Sequence, residues 1–270
     1  MGLDPVLKRL PDSVAGSDPV ERIQRWCEGV IDAVAEHTPA VKPQLACFER
    51  YGSRGYAVYE RLVARAGSLG LIVIADAKRG DIGLSSAHYA AGMLTGEQAA
   101  DALTLNAYLG ADGLEPFADA AYRAGAGLFA LVRTSNPGGD ALQGLPLADG
   151  RTVSRAVAQI VADLGASKPE YLGESGYSLL GAVVGATKSQ DAVALRELMP
   201  KQLFLVPGFG AQGAGPDDVR ACFKPDGAGA IITASRSVIY AHEIDTSVDW
   251  RTAVGRAAAN FNRQVASILK

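Results

Sequence analysis

Four charged side chains stand within six residues in "ADAKRGDIG", residues 75–83, directly after the apolar run "LGLIVI". They are Asp76, Lys78, Arg79 and Asp81, in a chain of which only 20% of the residues are charged. Burying a charge without a partner is costly, so such a cluster either neutralises itself or acts on a bound molecule. Ammonium and carboxylate groups in alternation can keep one another ionised, stabilise a developing negative charge and supply a proton.

The spacing predicts how these side chains meet. Residues two apart on a strand project to the same side, so Asp76 and Lys78 should point together at the carboxyl end of "LIVIADAK". Lys42 ends the preceding strand candidate, "AVKPQ", and a neighbouring parallel strand would place it beside them. Asp81 follows in the loop. The residues alone leave open a purely structural ion-pair network as the alternative.

Short apolar runs alternate with longer amphipathic stretches along the chain. From residue 71 onward the runs are mostly apolar on both sides, as expected for parallel strands covered on both faces. Helix starts are expected at Asp18-Pro19 and near Asp249. A strand–helix unit repeated over about 250 residues predicts an α/β protein, a (β/α)8 TIM barrel forming one domain over residues 1–270, with an open doubly wound sheet as the structural alternative. The strand candidates are residues 40–44, 71–78, 102–106, 128–134, 179–186, 202–208 and 229–236, with "GLDP" as the stub of an eighth.

The longest irregular stretches are residues 135–151 and 167–178, and both are expected to be surface loops.

Composition limits the classes of partner. A net charge of −3 gives no general field for nucleic acid or an anionic membrane, so an anionic ligand must be bound locally. The three cysteines are far apart and form no CxxC pair, which indicates free thiols in a reducing compartment. The sequence shows no leader and no apolar run of the roughly 18 residues that a membrane span requires. These features predict a soluble protein of the cytoplasm.

Ligand-type residues also follow other strand candidates. "TSNPGG" contains Ser135, "PGFGAQGAG" is a glycine-rich turn containing Gln212, and "ASRS" contains Arg236 after the last strand. Barrels commonly hold a phosphate with glycine loops after strands seven and eight, through backbone N–H groups and a guanidinium. The order of these features predicts a phosphate site beside the charged cluster.

With these motifs the chain resembles the orotidine 5'-phosphate decarboxylase family, and within it the longer bacterial branch. "DAKRGDIG" is similar to the family's D-x-K-x-x-D signature and "VKPQLACFERYG" to its lysine-bearing second strand. "TSNPGG" and "PGFGAQGAG" resemble its pyrimidine and phosphate loops. The resemblance runs from "GLDP" to "SRSVIY", nearly the whole chain, and the four motifs together are highly specific.

The resemblance implies that Lys42, Asp76, Lys78 and Asp81 form a catalytic tetrad. Asp81 and Ile82 would reach into the site of the partner subunit of a homodimer. The resemblance also implies contacts to the substrate. Asp4 would contact the ribose, Ser135 the pyrimidine edge, and Ser85 of the partner chain the ribose or the phosphate. Gln212, Arg236 and the backbone around Ser235 would hold the phosphate, and Pro207 and Phe209 would line the pocket.

The activity that the resemblance implies is decarboxylation of orotidine 5'-monophosphate to uridine 5'-monophosphate in de novo pyrimidine biosynthesis. No metal and no cofactor are expected. Two other hypotheses stay open: a Mg2+-dependent sugar-phosphate decarboxylase or synthase built on the same signature, and a catalytically silent barrel that only senses nucleotides.

One departure from the family pattern concerns the first strand. Family members have a helix and a full strand before "GLDP", whereas here almost no strand precedes Asp4. The expectation is that the true start lies upstream or that strand 1 is truncated or frayed, which makes Asp4 the least secure of the implied site residues.

Overall fold

The structure, a computed structural model, describes residues 1–209 and 215–269. Within these residues eight parallel strands form one sheet, and each strand pairs with the next one along the chain. This order confirms the predicted (β/α)8 barrel, because a doubly wound sheet requires the strand order to reverse. The strands are β1 (Gly2–Leu3), β2 (Ala40–Pro43), β3 (Ile72–Arg79), β4 (Ala102–Leu105), β5 (Gly127–Arg133), β6 (Leu180–Val184), β7 (Phe204–Pro207) and β8 (Ala230–Thr233).

Helices connect the strands on the outside of the barrel. The α-helices are α1 (Pro19–Val34), α2 (Ala46–Glu49), α3 (Gly52–Ser68), α4 (Gly83–Leu94), α5 (Ala111–Ala124), α6 (Asp140–Gln143), α7 (Val153–Ala166), α8 (Ser189–Leu198), α9 (Pro216–Arg220), α10 (Arg236–Ile239) and α11 (Trp250–Ile268). Short 3-10 turns cover Leu7–Arg9, Pro137–Gly139, Pro169–Tyr171, Ala186–Lys188 and Ala241–Glu243. None of the helices in the described ranges is long and apolar enough to cross a bilayer.

Both expected helix starts are confirmed. The Asp18 carboxylate accepts a hydrogen bond of 2.7 Å from the N–H of Val20, and Pro19 occupies the first helical position of α1. The Asp249 carboxylate accepts from the N–H of Arg251 at 3.0 Å and so caps α11. Each cap satisfies N–H groups that have no partner inside the helix.

The seam of the barrel lies at the first strand, which is as short as the sequence predicted. Gly2 and Leu3 lie opposite Lys42 and Pro43 of β2. On the other side the N–H of Gly2 donates to the carbonyl of Ala234, just after β8, at 2.7 Å. A Cβ atom on Gly2 would lie 2.8 Å from the Cβ of Ser235, so only glycine allows this approach.

The apolar core has two parts, as a closed barrel requires. The larger part lies between the strands and the surrounding helices. The smaller part fills the interior of the barrel with one side chain from each of six strands: Ala40, Ile74, Ala102, Phe129, Val183 and Leu205. The interior layer gives the charged side chains above it an apolar floor.

Candidate active site

Three of the four side chains predicted to form the charged cluster meet at the carboxyl ends of β2 and β3. Nζ of Lys42 lies 2.5 Å from Oδ2 of Asp76. Nζ of Lys78 forms an ion pair with the other oxygen, Oδ1. Lys42 and Asp76 are each only 7% exposed. One buried carboxylate is therefore held between two ammonium groups, as the period of two along β3 predicts.

Asp76 accepts two further hydrogen bonds that the sequence reasoning missed. Nε2 of Gln44 lies 3.2 Å from Oδ2, and Oγ1 of Thr104 lies 3.2 Å from Oδ1. Burial alone would raise the pKa of Asp76, but the charges of Lys42 and Lys78 outweigh it and hold this pKa below its ordinary value of 3.8. The carboxylate is ionised and fixed in orientation at neutral pH.

A signal for both missed residues was present in the sequence. Gln44 stands two residues after Lys42, so it shares that side of the chain. Thr104 is the polar residue inside the apolar run "ALTLN".

The backbone of Lys78 adopts an unusual conformation. Its φ is 48°, and it is the non-glycine residue with positive φ among those that the structure describes. This left-handed region is unfavourable for a residue with a Cβ. Such strain persists where contacts with the surrounding structure hold the backbone in place, and this is common at functional sites.

The other two charges of the run do not join the cluster within one chain. Arg79 projects to the other side of β3 and pairs with Glu49. The carboxylate of Asp81 accepts a hydrogen bond of 2.8 Å from the N–H of Ile82, and the described residues contain no ion pair from Asp81 to Lys78. Ile82 and Ser85 are exposed on the outer surface. The predicted tetrad is thus a triad in the single chain, and the contribution of Asp81 to a partner's site stays a prediction.

A cavity of about 240 Å³ opens above the triad. The three charged residues form one wall, and apolar side chains from β5, β6 and β7 form the floor. Ser135 and Pro207 lie in the lining, where the sequence predicted them. The lining consists of Lys42, Asp76, Lys78, Thr104, Leu131, Thr134, Ser135, Asn136, Val183, Leu205 and Pro207.

The loop that carries Ser135 is anchored by Arg133 at the end of β5. Arg133 is only 6% exposed, and its guanidinium donates hydrogen bonds to three side chains. Nε donates to Asp191 at 2.6 Å, Nη2 to Asp140 at 2.5 Å and Nη1 to Gln143 at 3.3 Å. These bonds join the β5–α7 loop to helix α8, so the position of Ser135 depends on side chains outside the cavity.

The barrel seam brings two further predicted residues to the same end of the barrel. Oδ1 of Asp4 and Oγ of Ser235 are buried and have no hydrogen-bond partner among the described residues. The main chain of Asp4 is fixed by Tyr240, whose hydroxyl donates to the Asp4 carbonyl at 2.9 Å. Buried polar atoms are nearly always satisfied, so these two oxygens without partners are unusual.

The remaining predicted contacts lie in or around the loops after β7 and β8. Arg236 is exposed at the start of α10, directly after Ser235. Phe209 packs against Phe261 of α11 with ring centroids 5.6 Å apart and is not in the cavity lining, so its role at the pocket stays a prediction. Gln212 lies at 210–214, outside the described residues.

Comparisons with known proteins show the family to which the chain belongs. The family profile of the orotidine 5'-phosphate decarboxylase / HUMPS family matches residues 18–249. A relative in Rhodopirellula baltica named orotidine 5'-phosphate decarboxylase is 42% identical over 284 residues, covering 98% of this chain and 93% of its own.

The chain belongs to the orotidine 5'-phosphate decarboxylase / HUMPS family. A second relative of this name, from Deinococcus radiodurans, is 44% identical, with 91% of this chain and 85% of the relative covered. A crystal structure from Streptomyces avermitilis, assigned provisionally as an orotidine 5'-phosphate decarboxylase, has a TM-score of 0.84 and 37% identity. It covers 99% of this chain and 90% of its own. Family membership and fold, both expected from the sequence motifs, are confirmed.

Proposed function

We propose that this chain decarboxylates orotidine 5'-monophosphate to uridine 5'-monophosphate in de novo pyrimidine biosynthesis, without a metal or cofactor. The observation that carries the proposal is the Lys42–Asp76–Lys78 cluster on the wall of the cavity. Relatives at 42–44% identity named for this reaction support it. The proposal includes a cytoplasmic homodimer that binds neither nucleic acid nor membranes.

The chemistry requires a negative charge to be stabilised on carbon. The bond between C6 and the carboxylate carbon breaks, its electron pair remains on C6, and CO2 leaves. No neighbouring carbonyl is placed to delocalise that pair as a simple enolate, so charge arranged in advance must stabilise it. In the proposal, Nζ of Lys78 faces C6, stabilises the carbanion and transfers a proton to it. The neutral amine then recovers a proton from water.

Asp76 has two roles in the proposal. It holds both ammonium groups, since its two oxygens bind Lys42 and Lys78 separately. It also lies beside the carboxylate of the substrate, where repulsion between two negative charges disfavours the bound substrate and disappears as CO2 departs.

The phosphate of the substrate would be held on the far side of the cavity. Arg236 supplies a guanidinium, and the backbone around Ser235 and the glycine-rich turn with Gln212 supply hydrogen-bond donors. Binding energy gained there, remote from C6, offsets the crowding around the substrate carboxylate.

The fourth member of the tetrad would come from the partner subunit. Asp81 lies at the surface, and exposed apolar side chains surround it on α4 and the β4–α5 loop: Ile82 is 57% exposed, Leu84 74% and Tyr108 79%. An exposed apolar surface of this kind is typical of a protein interface. Two-fold pairing through it would place each Asp81 near the other subunit's cavity.

Replacing Lys78 with alanine tests the assignment. We expect Lys78→Ala to abolish turnover of orotidine 5'-monophosphate while uridine 5'-monophosphate still binds measurably, because the phosphate and ribose contacts remain. The measurements are the loss of orotate absorbance and calorimetric titration. Lys201→Ala, an exposed lysine far from the cavity, is the matched control. Turnover near the wild-type rate in Lys78→Ala would overturn the role of Lys78.

The same assay in EDTA separates the proposal from a Mg2+-dependent sugar-phosphate reaction. Among the residues that the structure describes, no three His, Cys, Asp or Glu side chains are grouped as metal ligands. We expect decarboxylation to continue at an unchanged rate in EDTA. Loss of turnover that Mg2+ restores would favour the alternative.

A further inference from the structure

Thr104, in β4, touches two members of the charged triad without carrying a charge. It is 1% exposed and lies in the cavity wall. Its Oγ1 accepts the backbone N–H of Lys78 at 2.9 Å and lies 3.2 Å from Oδ1 of Asp76. The carbonyl of Ala75 is a longer alternative acceptor at 3.4 Å. The hydroxyl therefore receives one hydrogen bond from Lys78 and donates its own proton to Asp76.

The pairing of β3 with β4 explains why the N–H of Lys78 uses a side chain. Ala75 lies opposite Leu103 and Arg79 lies opposite Leu105. Three residues of β3 thus face the single residue Thr104 of β4, which interrupts the regular ladder. An N–H displaced from a ladder needs another acceptor, and the threonine hydroxyl takes the place of a main-chain carbonyl.

The left-handed backbone of Lys78 lies inside this irregular segment, with φ of 48°. A non-glycine residue keeps this conformation only if its neighbours hold it there. The contact from Thr104 fixes the N–H on one side of the Lys78 Cα, while the ion pair with Asp76 fixes the far end of the side chain. The Thr104 hydroxyl therefore contacts both the N–H of Lys78 and the carboxylate of Asp76, which pairs with the Lys78 ammonium.

We propose that Thr104 is a positioning residue for the decarboxylation, which places Nζ of Lys78 by holding the Lys78 backbone and the Asp76 carboxylate together. The inference rests on the proposed function, because it presupposes that Lys78 donates the proton to C6. Removal of the hydroxyl takes away the acceptor of the Lys78 N–H, and the segment relaxes toward an ordinary strand conformation. Nζ then loses its alignment with C6, although the nucleotide contacts stay in place.

Two substitutions separate the hydroxyl from the volume of the side chain. Thr104→Val keeps the shape and removes the hydroxyl, whereas Thr104→Ser keeps the hydroxyl. We expect Thr104→Val to lower kcat about 10-fold to 100-fold, because a hydrogen bond that holds a reacting group is lost, with KM and the affinity for uridine 5'-monophosphate changed less than about 2-fold. Thr104→Ser should recover kcat to within about 3-fold of the wild type.

Ser178 provides a control, because its hydroxyl is buried and hydrogen-bonded but lies away from the cavity. It is buried at the opposite end of the barrel, accepts from the N–H of Leu180 at 3.2 Å and donates to the carbonyl of Gly165 at 3.0 Å. Ser178→Ala should lower the denaturant midpoint as Thr104→Val does but leave kcat unchanged. If Thr104→Val does not fold, Thr104→Cys, whose thiol is a weak hydrogen-bonding group, carries the same expectation of reduced kcat.

The possible outcomes are distinct. Wild-type kcat in Thr104→Val, a Thr104→Ser variant as slow as Thr104→Val, or an equal loss of kcat in Ser178→Ala would each overturn the positioning role while the proposed function stands. A wild-type protein without decarboxylase activity would overturn the proposed function itself, and the inference with it.

Discussion

At Asp76 two opposing effects act on one carboxyl group. Burial favours its neutral form, and the ammonium groups of Lys42 and Lys78 favour its ionised form more strongly, so its pKa lies below 3.8 in the folded protein. A depressed pKa contributes stability at every pH above the unfolded-state value, and this contribution is lost as the pH falls through the folded-state value. Acid should therefore remove what Asp76 contributes to folding.

This pH dependence predicts a difference in stability between the wild type and Asp76→Asn. At pH 7 the variant leaves Lys42 buried without its partner, and we expect a loss of about 3 to 5 kcal/mol in the free energy of unfolding. The difference should shrink as the pH falls from about 5 to below the ordinary carboxyl pKa. Urea unfolding at a series of pH values measures it. A difference that stays constant down to the acid limit would contradict the ion-pair origin of the effect.

The charged residues of the site could be predicted because their positions follow from simple periods. A period of two placed Asp76 and Lys78 on one side of β3, and adjacency of parallel strands placed Lys42 beside them. Thr104 and Gln44 were missed, since neutral polar residues in apolar runs are common. The role of Thr104 also depends on an irregular register between β3 and β4, which no pattern of residue types reveals.

At the scale of elements, Arg133 joins three segments that lie apart in the sequence. It closes β5, holds the β5–α7 loop through Asp140 and Gln143, and reaches α8 through Asp191. The sequence predicted residues 135–151 as one irregular loop. The structure shows a 3-10 turn and the short helix α6 within it, and this order comes from long-range contacts rather than from local propensity.

We expect Arg133→Met to loosen this loop. The aliphatic part of the side chain is kept, but the bonds to the two carboxylates and to Gln143 are lost, so the unfolding free energy should fall by about 1 to 3 kcal/mol. Amide hydrogen exchange should become faster in residues 134–143. Arg151→Met is the control, because Arg151 pairs with Asp149 on the exposed surface and such pairs contribute little. Equal exchange in the wild type and Arg133→Met would contradict the anchoring role.

Strands were easier to predict than the segments between them. The seven apolar runs all correspond to observed strands, because burial on both faces demands continuous apolar sequence. The last predicted strand, residues 229–236, was too long at its end. β8 stops at Thr233 and helix α10 begins at Arg236, a change of direction that brings Ser235 and Arg236 to the open end of the barrel.

At the scale of the whole molecule, Asp81 is the member of the predicted tetrad that lies apart from the other three within one chain. Asp81 is half-buried and accepts the N–H of Ile82, and the side chains of Ile82 and Leu84 next to it in the chain are exposed. The decisive observation must come from two subunits together.

Mixing two inactive variants tests the shared site. Lys78→Ala and Asp81→Asn should each be inactive alone. In a mixed dimer one site lacks both residues and the other combines an intact Lys78 with an intact Asp81. Equal mixing with random reassociation should therefore restore about a quarter of the wild-type sites. Turnover after mixing measures this, with Lys78→Ala mixed with itself as the control. Mixtures that stay inactive, although sedimentation shows that the subunits have exchanged, would contradict a shared site.

The left-handed φ of Lys78 has a consequence beyond catalysis. Glycine adopts that conformation without strain, so the backbone angle by itself would favour glycine at position 78. Replacing Lys78 with glycine would relieve this backbone strain, but it would also remove the ion pair with Asp76. The strained backbone at this one position is therefore a cost in stability that comes with having a lysine there.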